Sequence, residues 1–203
     1  MATQLDGPIT INGSLSVNGT LTGQIGRDGL LVEQNLVVPV PLSAFRVWDS
    51  MAALPTAGSS DDLGFVAGTF GTAVPYLATA IASGPADGYA RALIQLPYQY
   101  VAAQGVYVRV YHGMITAVAS TSATVDVEAY KVAKTSSLVS GSDLCATAAV
   151  SNTTMTFATS TFTLTSTGLA PSDVLDLRIR ATANGGSGFN VISGVELVLS
   201  ARG

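Results

Sequence analysis

Few side chains in this sequence could take part in acid–base or nucleophilic chemistry. The chain has one histidine, His112, and one cysteine, Cys145. Such catalysis needs a proton acceptor beside the reacting group, and neither residue has an evident partner in sequence. His112 ends a predicted strand, which is typical of a structural or interface residue. Cys145 lies in the apolar stretch Asp143–Ala146, which is typical of a small buried side chain.

Two pairs of carboxylates remain as candidates. Asp61 and Asp62 lie in a Gly/Ser loop and could offer oxygen ligands to Ca²⁺. Asp126 and Glu128 share one face of a predicted strand, about 7 Å apart along it, which superficially resembles a glycosidase pair. Such a pair is more often a solvated face, and Lys131 lies close by for screening. A single histidine and cysteine also exclude zinc sites built from several such ligands of one chain. We therefore expect no enzyme and no cofactor.

Composition points to a packed assembly. Only 11% of the residues are charged and 48% are hydrophobic, whereas about 25% charged residues are usual in soluble domains. Such a chain hides surface against other subunits or keeps its surface neutral with Ser, Thr and Gly. The basic residues are scattered and the net charge is −4, so direct nucleic-acid binding is not expected.

Targeting signals are not evident. Met1–Gly7 lacks the pattern of a signal peptide, and the lone cysteine fits synthesis in a reducing cytoplasm. Phe65–Ala82 is the most apolar stretch, but Gly and Pro interrupt it, so it is interpreted as two short strands around a turn. No membrane partner is expected.

Alternation of apolar and polar residues is the strongest local pattern. It recurs in Val106–His112, Ala123–Val132, Val174–Ala181 and, with threonines, Thr153–Thr165; Phe189–Ser200 closes the chain. Period two with β-branched residues predicts half-buried strands. Eight or nine strands with almost no helical periodicity favour an antiparallel jelly-roll β-sandwich. Ligand-binding barrels and immunoglobulin-like sandwiches remain open.

The N-terminal region is a repeat. Ile11–Leu15 and Val17–Leu21 are the same five-residue phrase, restated six residues later. Two copies of this repeat are too short to bury their apolar side chains within one chain. We therefore expect the repeat to pack against identical chains. We predict that residues 1–32 form an arm for oligomerisation or anchoring, either a hairpin or flexible arm or an intertwined trimeric β element. The Pro/Val segment 33–44 is predicted as a linker or an edge segment, and 45–203 as the body.

Two segments carry a resemblance to a known family. Ile9–Leu21 resembles the Gly/Asn-rich repeats that begin many tailed-phage fibre and decoration proteins. Arg91–Tyr98, with the alternating strands up to Val132, is similar to jelly-roll knobs of phage virion proteins. The nearest likeness is to the trimeric cement proteins that decorate the capsids of some tailed phages, including short-tailed cyanophages.

The resemblance implies a homotrimer on the capsid surface of a virion, bound to the major capsid protein at a local or quasi threefold position. The arm is very short for a tail fibre, which favours a decoration protein. The alternative is a receptor-binding knob of a fibre or baseplate adhesin that binds a host glycan. Outward-facing tyrosines are suited both to a protein interface and to stacking on a glycan, and a protein interface is the more common role. The predicted interface residues are apolar arm positions and body tyrosines: Ile9, Ile11, Leu15, Val17, Leu21, Tyr98, Tyr100, Tyr107 and Tyr111.

Overall fold

A computed structural model describes residues 33–80, 86–116, 123–132, 141–183 and 189–202. These residues belong to one compact unit, 32–203. The arm predicted over 1–32 lies outside the described residues. Within the described ranges no helix is long and apolar enough to cross a membrane. The elements are a 3₁₀ turn, Leu42–Ala44, and ten strands: β1 Glu33–Pro39, β2 Gly64–Val66, β3 Tyr76–Ala78, β4 Ala86–Gln95, β5 Val106–Met114, β6 Thr124–Lys131, β7 Val150–Ser151, β8 Ala158–Leu164, β9 Val174–Ala183 and β10 Asn190–Arg202.

The strands form two antiparallel sheets packed face to face. One sheet has six strands in the order β2-β3-β10-β5-β8, and β1 also pairs with β10. The other has four strands in the order β4-β9-β6-β7. Buried residues of both sheets belong to a single apolar core. The predicted all-β, antiparallel, jelly-roll-like sandwich is confirmed.

The alternating segments form the central strands, with the faces that the sequence predicts. In β5, Val108 and Val110 are buried, and in β9, Leu177 and Ile179 are buried, each no more than 1% exposed. Their neighbours point outward and are partly exposed. Burial of each such aliphatic side chain contributes roughly 1.5–3 kcal/mol. The sandwich is therefore held mainly by the period-two pattern of its long strands.

The segment 33–44 is part of the sandwich. Residues 33–39 pair along their whole length with β10, from Glu33 opposite Arg202 to Pro39 opposite Glu196. Leu36 and Val38 pack against the core, which gives this strand a buried face. The prolines are tolerated because they end an edge strand, where no ladder donor is required. The sequence predicts either a linker or an edge segment for residues 33–44. In the structure, residues 33–39 are an edge strand, so the described part of the body begins at residue 33 rather than at Phe45.

The strand predicted over Thr153–Thr165 is shorter than expected. β8 begins at Ala158, and the side chains of Met155 and Phe157 are 58% and 48% exposed. Phe157 instead lies over Gly113, where an added Cβ would stand 3.0 Å from the ring. Met155 and Phe157, which alternate with threonines in the sequence, therefore lie in the segment before β8. Of the apolar residues in this predicted strand, only Phe162 and Leu164 belong to the core.

A buried polar junction joins the two sheets at one end. Asn190 of β10 is fully buried, and its Nδ2 donates to the carbonyl oxygen of Thr124 at 2.9 Å and, more weakly, to that of Thr182 at 3.4 Å. Its Oδ1 accepts from Nδ2 of Asn152, which also donates to the Gly113 carbonyl at 2.9 Å. Since Asn190 and Gly113 lie in one sheet and Thr124 and Thr182 in the other, these amides tie the layers together.

Candidate functional site

The outer face of the six-stranded sheet is almost free of charge. We call this surface the neutral face; it consists of the outward side chains of β1, β10, β5 and β8. Its charged residues are Arg109 and Glu196, whose side chains meet at 3.1 Å, and, at one end of the face, Glu33 and Arg202, which the register places opposite each other. The remaining positions carry hydroxyl, amide and apolar groups: Asn35, Val37, Pro39, Tyr107, Tyr111, Thr159, Thr161, Thr163, Val198 and Ser200. Val37 and Tyr107 are 42% and 36% exposed, so the face offers apolar area to a partner.

A groove of about 390 Å³ lies at one edge of the neutral face. Its walls include Leu42, Phe65, Pro75 and Tyr111, and Glu196 lies at its side. Gly194 forms part of the floor beside a register shift in β10. A side chain at this glycine would stand 3.1 Å from the Tyr111 ring. The absence of a side chain at Gly194 therefore leaves room for the Tyr111 ring.

The turn between β2 and β3 projects an aromatic side chain into solvent. Phe70 is fully exposed and Val74 is 71% exposed. Gly68 and Gly71 have φ of 70° and 80°, a conformation that glycine adopts without strain. The turn therefore holds two apolar side chains, Phe70 and Val74, in solvent.

The predicted interface residues have different fates. The arm positions Ile9, Ile11, Leu15, Val17 and Leu21 lie outside the described residues. Tyr107 and Tyr111 both lie on the neutral face, with Arg109 between them on β5, and Tyr98 is 79% exposed beside the turn before β5. Tyr100 is 2% exposed, and its hydroxyl donates to the Gln104 carbonyl at 2.8 Å. The expectation of an outward Tyr100 is therefore corrected, because its ring belongs to the core.

The outer face of the four-stranded sheet, in contrast, carries a ladder of ion pairs. Arg178 of β9 lies opposite Glu128 of β6, with 2.5 Å between nitrogen and oxygen, and Arg180 lies opposite Asp126 at 2.7 Å. On the other side of β9, Arg91 of β4 binds both carboxylate oxygens of Asp176. The hydrogen bonds to Asp176 raise the pKa of Arg91 above its ordinary value. We call this surface the charged face.

The ladder includes Asp126 and Glu128, which the sequence offered as a candidate acid–base pair. Both carboxylates are occupied by arginine partners on β9. Lys131 does not screen them, because its ammonium group binds Asp173 at 2.8 Å and the Gly168 carbonyl at 2.6 Å. The pair therefore fastens β6 to β9.

A cleft of about 420 Å³ opens on the charged face beneath the loop that follows the 3₁₀ turn. Trp48 and Asp49 of this loop form one wall. The Trp48 indole nitrogen donates to Asp61 at 3.1 Å, and its ring centroid lies 5.3 Å from that of Tyr89. The Arg178 guanidinium lies over the Trp48 ring at 5.1 Å from its centroid. Trp48 is therefore held in a fixed orientation from several sides.

Comparison with known proteins finds likeness of fold only. No protein-family model matches the sequence, and no curated protein does. A xylan-binding module, CBM15, is 15% identical with a TM-score of 0.48, over 84% of this chain and 100% of that one. A family 30 carbohydrate-binding module of a Clostridium thermocellum cellulase is 17% identical with a TM-score of 0.40, over 80% and 96%. A cyclase from Fischerella sp. is 14% identical with a TM-score of 0.38, over 85% and 90%.

The remaining candidates for chemistry have structural partners. His112 is 2% exposed, and its Nε2 lies 2.8 Å from the Ser160 hydroxyl. Cys145 is half-buried against the core, and burial raises the pKa of its thiol. Asp61 accepts the Trp48 hydrogen bond, and in the described part of the chain no group of three His, Cys, Asp or Glu side chains could hold a metal ion.

Proposed function

We propose that this protein is a homo-oligomeric structural component of a virion, and specifically a trimeric capsid-decoration protein. The observation that supports it best is the separation of charge between the two outer faces. Among the side chains that the structure describes, three cross-strand ion pairs stand on the charged face and one stands on the neutral face; the register adds Glu33 opposite Arg202 at the end of the neutral face. In this proposal the neutral face packs against other subunits and the charged face meets solvent.

The neutral face suits burial better than the charged face, because fewer ion pairs among its described side chains would have to be dehydrated. Arg109 and Glu196 already neutralise each other, and Tyr111 donates its hydroxyl to Glu196 at 3.0 Å. The surrounding threonines can exchange water for hydrogen bonds with a partner, while Val37 and Tyr107 supply apolar area. Depletion of charge at the centre, with tyrosine present, is a general property of protein interfaces.

The exposed turn supplies a second contact. Phe70 stands clear of its own chain, and burial of such a ring against another subunit or the major capsid protein contributes roughly 1.5–3 kcal/mol. A ligand that binds only the assembled shell stabilises that shell by mass action. A trimer that engages three equivalent sites also gains through effective concentration. A decoration protein of this design strengthens a capsid without chemistry.

The oligomer is tested by mass measurement of the full chain at several concentrations, by light scattering or native mass spectrometry. We expect a trimer. Val37→Lys together with Tyr107→Glu should reduce the mass to that of a monomer, because both changes place charge in the proposed contact. Leu93→Lys is the matched control, since Leu93 is 52% exposed on the outer side of β4. A monomeric wild type, or equal masses for the two sets of variants, would refute the neutral face as the interface.

The virion role is tested by a reconstruction of the native particle that contains this protein. We expect density for three copies at local or quasi threefold positions of the capsid. Density confined to the tail, or absence of the protein from purified particles, would refute the decoration role.

A further inference from the structure

We propose that the cleft beside Trp48 on the charged face is a binding site for a neutral saccharide. The cleft combines one aromatic wall with a floor of paired charged side chains. Its volume, about 420 Å³, falls within the usual range of about 300–1,000 Å³ for small-molecule sites. This inference is independent of the proposed structural role, because the charged face is opposite to the neutral face.

The aromatic wall is preorganised. The indole N–H of Trp48 is fixed by Asp61, and its ring packs on Tyr89 and beneath the Arg178 guanidinium. Arg178 also lies 4.9 Å from the centroid of the Tyr89 ring. A ring that is already immobilised loses little conformational freedom when a ligand packs against it, which favours affinity. Trp48 nevertheless lines the cleft and is half-buried, so part of its surface can be contacted.

The floor offers hydrogen-bond donors and acceptors in fixed positions. Arg91 and Asp176 hold each other, and so do Arg178 and Glu128. A paired guanidinium keeps further N–H donors, and a paired carboxylate keeps further lone pairs. Hydroxyl groups can both donate and accept, so adjacent hydroxyls of a sugar ring match such a floor. Tyr130 adds a phenol at the side of the cleft; like any tyrosine it is a protonated donor at neutral pH, and burial raises its pKa further.

The charges of the lining argue against ionic ligands. Asp49, Glu128 and Asp176 carry three negative charges, and Arg91 and Arg178 carry two positive charges, so the lining has a net charge of −1. Both guanidinium groups are already bound to carboxylates, which disfavours anionic ligands. A cationic ligand would compete with Arg178 for the face of Trp48. A neutral polyhydroxylated ligand needs no charged partner on the floor, and it can pack against the exposed part of Trp48 while Arg178 stays over the ring.

The test uses the tryptophan as its reporter, because the sequence contains one tryptophan. The full-length protein is titrated with neutral oligosaccharides of glucose, galactose, mannose and xylose, and with sialylated and uronic-acid oligosaccharides, while Trp48 emission is recorded. We expect a saturable change with at least one neutral saccharide. No saturable change with any neutral saccharide, or a response to the acidic ones alone, would overturn the proposal.

Variants then assign the site by calorimetry with the best saccharide. Trp48→Ala and Asp49→Ala should each weaken binding, the former at least tenfold. Tyr98→Ala is the matched control, since Tyr98 is an exposed aromatic that does not line the cleft, and this variant should bind as wild type. Circular dichroism and thermal unfolding show whether each variant is folded. Because Asp49 is exposed on a loop, its variant keeps the test decisive should Trp48→Ala fail to fold. Unchanged binding in a folded Trp48→Ala variant, or in Asp49→Ala, would overturn the site. This outcome does not depend on whether the protein is a trimer, so the saccharide site and the proposed structural role are tested separately.

Discussion

The buried amide junction at Asn190 gives the sharpest prediction about stability. Asn190→Ala removes a fully buried side chain that hydrogen-bonds both sheets. Two well-formed hydrogen bonds are lost, each with a net contribution of about 1 kcal/mol. The Asn152 amide also loses an acceptor in a buried place, which costs a further 1–3 kcal/mol or so before any water enters. We expect the free energy of unfolding to fall by roughly 3–5 kcal/mol.

The assay is thermal and urea unfolding at a fixed protein concentration. For a domain of this size a loss of 1 kcal/mol lowers Tm by about 2–4 °C, so a loss of about 3 kcal/mol lowers it by about 6–12 °C. Gln95→Ala is the control, because it removes an amide of similar chemistry from an exposed position on β4. That change should alter stability by no more than about 0.5 kcal/mol. Equal unfolding curves for Asn190→Ala and Gln95→Ala would refute the role given to the junction.

Asn190→Asp separates hydrogen bonding from shape at the same position. The aspartate fills the same space but, when ionised, donates to neither the Thr124 nor the Thr182 carbonyl. Burial raises the pKa of such a carboxyl in the folded state, so the folded protein binds the proton more tightly than the unfolded chain. The stability of this variant relative to wild type should therefore be highest in acid and fall as the pH rises through the folded-state pKa. A pH-independent difference from wild type would contradict this reasoning.

Three further outcomes follow from other contacts. Arg178→Met should lower the free energy of unfolding by about 1–2 kcal/mol, since it removes the ion pair with Glu128 and the contacts with two aromatic rings; adding Glu128→Gln should restore part of the loss in urea unfolding. Burial, with the charge of Asp61, raises the pKa of Asp62 above 3.8, so ionisation of Asp62 costs stability as pH rises; Asp62→Asn should raise Tm at pH 7, and calorimetry should show this gain vanish below pH 3.8. The Cys145 thiol, with its pKa raised by burial, should react slowly with a disulfide reagent until the chain is unfolded, and rapid reaction of native protein would contradict its position.

The faces of the long strands could be predicted from the sequence because alternation is a local property. Successive side chains of a strand point to opposite sides, so Tyr107 is exposed and Val108 is buried. The alternation of polarity in the sequence follows this alternation of burial. The two short strands around a turn that were expected within Phe65–Ala82 are present as β2 and β3, but their bounds and partners were harder to predict. β2 and β3 have three residues each, too few for a pattern, and their pairing depends on tertiary contacts.

The cleft could not be predicted, because its parts come from distant points of the chain. Arg91 and Asp176 are 85 residues apart and meet only because β4 lies beside β9. Trp48 stood in a short apolar segment that showed no periodicity, so nothing in the sequence separated it from a core residue. For Tyr100 the opposite error occurred: the sequence predicted an interface residue, and the structure buries it. It lies in a turn near β5, where no alternation signals burial, and its backbone bridges to Ala201.

The pairing of β1 with β10 has a mechanical consequence. Glu33 and Arg202 are opposite each other, so a pull that separates these two residues loads the ladder from one end and breaks its hydrogen bonds one after another. A pull on residue 33 along the axis of β1, with the sandwich held at the Pro39 end, would instead load all the hydrogen bonds of the strand together. The same edge strand is thus weak in peeling and strong in shear. A tether at residue 33 would hold best when the load runs along the strand.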